Sequence, residues 1–125
     1  MQRTRTLAIL IGLTQIVGPS HAQDIGGDIA DCPRRATTVN IVECLKEATE
    51  VWDRRLNVAY KAVMGKLAAR PQEREALLRE QRAWIRRRDS QCTSFSGGSL
   101  IQIETQGCFL DLTRTRTLEL ERPAR

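Results

Sequence analysis

Gln81-Arg82-Ala83-Trp84-Ile85-Arg86-Arg87-Arg88-Asp89-Ser90-Gln91-Cys92 contains no glycine or proline and consists almost wholly of residues that a helix accepts. On a 3.6-residue period Gln81, Trp84 with Ile85, Arg88 and Cys92 share one side. That side is expected to pack, yet it carries an amide and a guanidinium. The rest of the chain must therefore supply polar partners to them.

Upstream, Pro71 suits the first turn of this helix, where its missing N–H costs nothing, and Glu73 and Glu75 sit favourably near the positive end of the helix dipole. The pattern Leu77, Leu78, Gln81, Trp84, Ile85 and Arg88 then predicts a helix from Pro71 to about Cys92. Before Pro71, only Gly65 interrupts a run free of glycine and proline that reaches back to Thr37 or Thr38, either of which can cap a helix. Leu45, Trp52, Leu56, Ala59, Val63 and Leu67 recur at steps of three and four. They predict a long amphipathic helix that breaks before Pro71.

Downstream, Thr93-Ser94-Phe95-Ser96-Gly97-Gly98-Ser99 is a turn-rich loop. A third helix is expected to run to about Glu121 before Pro123, with Phe109, Leu112 with Thr113, Arg116 and Leu120 on one side. Ile101-Gln102-Ile103 also alternates like a strand, and bonding Cys92 to Cys108 would require Cα atoms about 5–6 Å apart, so that the connection doubles back and the helix is expected to begin nearer Glu104 than Ser99. Three helices without repeats or low-complexity tracts predict an all-α fold, a small bundle of two long antiparallel helices plus a shorter third, stapled by disulfides.

The N-terminus reads as an export leader. Arg3 and Arg5 precede the mostly apolar stretch Leu7 to Val17, and Ser20-His21-Ala22 ends in a small residue suited to cleavage. Residues 1–22 are expected to be removed, 23–36 to form a flexible lead-in containing Gly26, Gly27, three aspartates and Pro33, 37–121 to form the helical domain, and 122–125 a tail. The apolar stretch is too short for a permanent membrane span, and the product is expected in the periplasm or outside the cell. Removing the leader takes Arg3 and Arg5 from the 20 basic residues and none of the 15 acidic ones, leaving a net charge of +3. It also removes the only histidine, His21.

So mild and interspersed a charge describes a solvated helical surface, with Glu50/Arg54 and Glu75/Arg79 at four-residue spacing, rather than a nucleic-acid stripe. Within Arg86-Arg87-Arg88 successive side chains point in three directions. The four cysteines, Cys32, Cys44, Cys92 and Cys108, are all retained after processing. An even count in a small exported chain argues for two disulfides, with three pairings open. Sequential pairing would close two short loops, each contributing about 2–4 kcal/mol. A metal site fits poorly, because no cysteines have zinc-knuckle spacing and no histidine remains.

Asp53, Asn57 and Tyr60 follow one another at i, i+4 and i+7, beside the apolar stripe of the first helix. With Gln81, Arg88 and Asp89 on the second helix and Thr113 and Arg116 on the third, they are candidates for an inter-helix hydrogen-bond and charge network. In it Arg88 or Arg116 would face Asp53 or Asp89. Trp52 and Trp84 are the largest apolar groups available to join the two long helices.

Asp53-x-x-Leu56-Asn57-x-x-Tyr60, then Leu78-Arg79-x-Gln81-Arg82-Ala83-Trp84-Ile85-x-x-Arg88-Asp89-x-x-Cys92, then Gly97-Gly98-Ser99 and Cys108-x-x-x-x-Thr113-x-x-Arg116-x-x-x-Leu120, resemble the LprI-type lysozyme inhibitor family over roughly Cys32 to Leu120. The resemblance implies an exported, disulfide-containing helical domain of bacteria, in a family whose named member inhibits lysozyme. The chain has no lipid-attachment cysteine of the kind that the named member carries.

Catalysis is not expected. No histidine remains after processing, the cysteines are expected to be oxidised, the serines near Gly97 lack a base, and Asp53 and Asp89 are better matched to arginines than a catalytic acid requires. No cofactor is expected. The sequence points instead to a binding module, with the exposed loop Phe95, Gly97, Gly98 and Ser99 as its candidate contact surface. Its partner would be lysozyme, another envelope protein or peptidoglycan.

Overall fold

The computed structural model describes residues 32–35, 37–98 and 100–123. The expected leader and its cleavage after Ala22, most of the lead-in, Ser99 and the last two residues of the tail lie outside the described residues. Three helices make up the domain: α1 (Thr38–Lys66), α2 (Pro71–Cys92) and α3 (Ile101–Glu121), preceded by a 3-10 turn at Cys32–Arg34. The fold is all-α, and no strand occurs among the described residues.

α1 starts where Thr37 adopts an extended backbone and its Oγ1 accepts the Asn40 N–H at 3.2 Å, satisfying one of the free donors of the first turn. It ends at Lys66, earlier than the position before Pro71 that the sequence suggests. Leu67 turns back to bond the carbonyls of Val63 and Gly65, and its side chain is buried. This tightening stops the helix before proline has to. Pro71 occupies the first turn of α2 as expected.

α3 starts at Ile101, not near Glu104, so Ile101-Gln102-Ile103 is helical. The reversal that the Cys92 and Cys108 positions demand is made earlier. Gly97 and Gly98 take φ of +82° and +90°, which side-chain-bearing residues rarely adopt. The chain turns there, and α3 can begin at once.

The bundle runs up, down and up. Ile41 and Ile103 pack on one core cluster, Trp52 faces Thr117, and Arg55 faces Glu121, so α1 and α3 are parallel and in steady register. These two helices make the closest packing in the molecule. α2 runs antiparallel to both, packs more loosely on α3 and buries only Gln81 and Cys92. The physical reason lies in composition: the inward side of α2 is largely polar, whereas Leu45, Ala48, Trp52, Leu56 and Ala59 of α1 are buried. Trp84 is accordingly half-buried and Ile85 exposed, so Trp52, rather than both tryptophans, anchors the core.

The main core comprises Cys32, Leu45, Ala48, Trp52 and Leu110, with Ile41, Cys44 and Ile103 against it. Two disulfides brace it at this end. Cys32–Cys44 ties the 3-10 turn to α1, and Cys92–Cys108 ties the end of α2 to α3, each with Cα atoms 5.5 Å apart. At the other end α3 stops level with Arg55, while α1 continues for about 16 Å with only α2 beside it.

Candidate functional site

Six of the eight candidate network residues fall into two clusters rather than one, and Asn57 and Tyr60 join neither. In the first, Arg88 leaves α2 toward the other helices with 18% of its side chain exposed. Its guanidinium pairs with Asp89 at 2.9 Å, comes within 3.9 Å of Asp53 and donates to Thr113 Oγ1 at 3.4 Å. It also lies 5.0 Å from the Trp84 ring centre and 5.4 Å from that of Phe109. Two aromatic faces thus supplement two half-exposed carboxylates, which suits the flat, weakly hydrated guanidinium better than it would a lysine.

The second cluster centres on Arg116, which is 6% exposed. Its Nε donates to Gln81 Oε1 at 2.9 Å, and its Nη1 to Glu80 at 2.8 Å and Glu119 at 3.1 Å. Neither Asp53 nor Asp89 is its partner. Glu80 and Glu119 were not among the sequence candidates, although Glu119 sits at the i+3 position from Arg116, a spacing that pairs on any helix. Glu80 carried no such sign, because it meets Arg116 only through the register between α2 and α3.

The helix face of α3 also holds two residues that the sequence pattern passed over. Leu110 is in the core, and Thr117 is wholly buried, donating to Thr113 O at 2.8 Å and lying 3.5 Å from Trp52 O. Thr113 and Thr117 are fully buried small residues between α1 and α3; the Thr117 hydroxyl is satisfied by backbone carbonyls, and that of Thr113 accepts from Arg88. Asn57 is exposed, outside both clusters. Tyr60 is half-buried, and its hydroxyl, Trp52 Nε1 and Arg116 Nη2 are buried without a hydrogen-bond partner among the described residues.

Outside the clusters, Arg55 and Glu121 form a two-pronged pair, both bonds at 2.7 Å, that closes the α1–α3 seam. The hydrogen bonds to Glu121, aided by its charge, raise the Arg55 pKa above the usual arginine value against a smaller opposing effect of burial. Glu75 and Arg79 pair at 3.0 Å as their spacing suggests, whereas no ion pair joins Glu50 and Arg54 among the described residues.

The carboxylates nearest the interior are each held by an arginine, the four cysteines are spent in disulfides, and no group of three potential ligands that could hold a metal occurs among the described residues. No helix of the described residues is long and apolar enough to cross a membrane. The two disulfides and two arginine clusters brace the three helices against one another, and between α2 and α3 Phe95 and Leu100 are 38% and 56% exposed.

A family model described as "Lysozyme inhibitor LprI" matches residues 30–120, spanning all three helices and both disulfides. An uncharacterized protein of Rhizobium meliloti (strain 1021) is 32% identical over 106 residues, covering 73% of this chain and 76% of the relative. No solved structure matches the chain.

Proposed function

This chain belongs to the LprI lysozyme inhibitor family, and from that premise we propose that it is an exported, non-catalytic binding module that inhibits a lysozyme by covering its substrate cleft. The observation that carries the reading is the extent of the family match, which takes in the whole helical domain and all four cysteines. Occlusion needs no reacting group. It needs a surface that does not deform when pressed against an enzyme, because ordering a soft surface on binding would consume the affinity gained. Two disulfides and the closely packed α1–α3 pair supply that stiffness. The exposed segment Phe95–Gly98, with Ser99 beyond it, is the contact loop of this reading, held at its base by Cys92–Cys108.

Export follows from the leader at residues 1–22, which delivers the domain to the periplasm or the medium, where disulfides persist and lysozymes act. A second reading is favoured by the exposure of Phe95 and Leu100: an envelope accessory protein that docks another envelope protein there.

Titration of lysozymes of several classes with the purified, oxidised protein on cell-wall substrate tests the proposal. Stoichiometric inhibition that disappears on reduction of the disulfides is expected. Absence of inhibition of every class at high micromolar protein would eliminate the inhibitor reading and leave the accessory reading.

A further inference from the structure

α2 carries four carboxylates, and each is already engaged by an arginine. Glu73 pairs with Arg70, Glu75 with Arg79, Glu80 with Arg116 and Asp89 with Arg88. Four arginines of the same helix are left exposed and without an acidic partner among the described residues: Arg74 in its first turn, and Arg82, Arg86 and Arg87 grouped toward its other end. The Arg86-Arg87-Arg88 triplet is thereby divided: Arg88 turns inward to the aromatic rings, and the other two face solvent. Ala83, Arg86, Arg87, Ser90 and Gln91 line an open groove of about 480 Å³, whose small residues lower its floor between the arginines. It ends at Gln91, next to the end of α2 at Cys92 and four residues before the exposed Phe95.

We propose that this arginine face is the surface that meets the enzyme, with the guanidiniums of Arg82, Arg86 and Arg87 paired to the carboxylates of the lysozyme cleft. The inference rests on the inhibitor reading above. A glycoside hydrolase places two carboxyl groups about 5–9 Å apart across the bond it cleaves. Residues at i and i+4 of a helix, as Arg82 and Arg86 are, have Cβ atoms about 5–6 Å apart, and each guanidinium offers a planar fork that matches one carboxylate. The charge match is local. It does not depend on the net +3 of the exported domain, and it leaves Phe95 at the rim as an aromatic anchor.

The test compares the full exported protein with R82Q/R86Q and with a control, K46Q/R54Q, that removes the same charge from exposed positions of α1. Inhibition of the most sensitive lysozyme is measured at two salt concentrations, with melting temperature recorded for each protein. The expected result is a loss of affinity of about tenfold or more, with weakened salt dependence, for R82Q/R86Q alone and unchanged melting for both. If the wild type inhibits and the two variants lose affinity equally or not at all, the arginine face is overturned while the inhibitor reading stands. If the wild type inhibits no lysozyme, the inhibitor reading itself fails, and this inference with it.

Discussion

Arg116 and Gln81 meet across the α2–α3 interface, the guanidinium Nε donating to the amide oxygen at 2.9 Å, and both side chains are buried. Gln81 is one of only two buried residues of α2, so this bond is a principal reason that a largely polar helix stays docked. Q81L is expected to leave a buried donor without its acceptor and to lower stability by about 1–3 kcal/mol. Q81L/R116M, which removes both polar partners, is expected to recover most of that loss. Urea unfolding of the four proteins of this cycle measures the coupling; additive effects would contradict it.

Arg88 reports on a different balance. Its contact with Asp53 is long, at 3.9 Å, and Asp53 is half exposed, whereas Asp89 lies at 2.9 Å and two aromatic ring centres lie within 5.4 Å of the guanidinium. R88M is therefore expected to lower stability by about 1–2 kcal/mol, mainly through the lost stacking on Trp84 and Phe109. D53N is expected to change it by less than about 0.5 kcal/mol. Thermal melts of both variants decide the point, and equal losses would show that Asp53 is the true partner.

The Tyr60 hydroxyl is buried without a hydrogen-bond partner among the described residues. Y60F should remove a desolvated polar group while keeping the ring, raising stability by up to about 1 kcal/mol. A fall in the melting temperature would instead mean that the hydroxyl is satisfied in solution.

The Arg55–Glu121 pair sets a pH expectation. Its arginine has a raised pKa in the folded protein, so the stabilisation is fully present below the ordinary arginine value and is lost only as pH rises through the higher folded value. Between about pH 6 and pH 10 neither limit is approached, and this contribution should stay flat. Both side chains are partly exposed, so R55M is expected to cost about 1 kcal/mol or less, and less still at high salt. The difference in unfolding free energy between wild type and R55M across that pH range is the measurement. A difference that changes steeply with pH would refute the assignment.

Much of this architecture is local in origin and was readable from residue order. Apolar steps of three and four define the α1 face, Pro71 starts α2, the paired glycines turn the chain before α3, and an even count of four cysteines in a small chain suggests two bridges. The spaced motifs from Asp53 to Leu120 also marked the family. These features depend on neighbours within a few residues, so periodicity and backbone preference suffice to show them. The helix limits at Lys66 and Ile101 were less legible, because burial of Leu67 and the glycine reversal decide them.

Tertiary structure decided what periodicity leaves degenerate. Residue order says which face of a helix is inward but not which turn of a neighbouring helix lies opposite. Arg88 and Arg116 were equally able to face Asp53 until the register of α2 on α3 set Arg116 against Gln81 and Glu80. That register pairs Glu80 with Arg116, whereas Glu73, Glu75 and Asp89 are met by arginines near them in the chain, and Arg82, Arg86 and Arg87 have no acidic partner among the described residues. Contacts between helices vary with a shift of one turn, about 5.4 Å, that leaves each helix's own pattern unchanged. The packed core, with Trp52 and Leu110 at its centre, selects the shift between α1 and α3, and the Cys92–Cys108 bond with the Gln81–Arg116 contact selects that between α2 and α3.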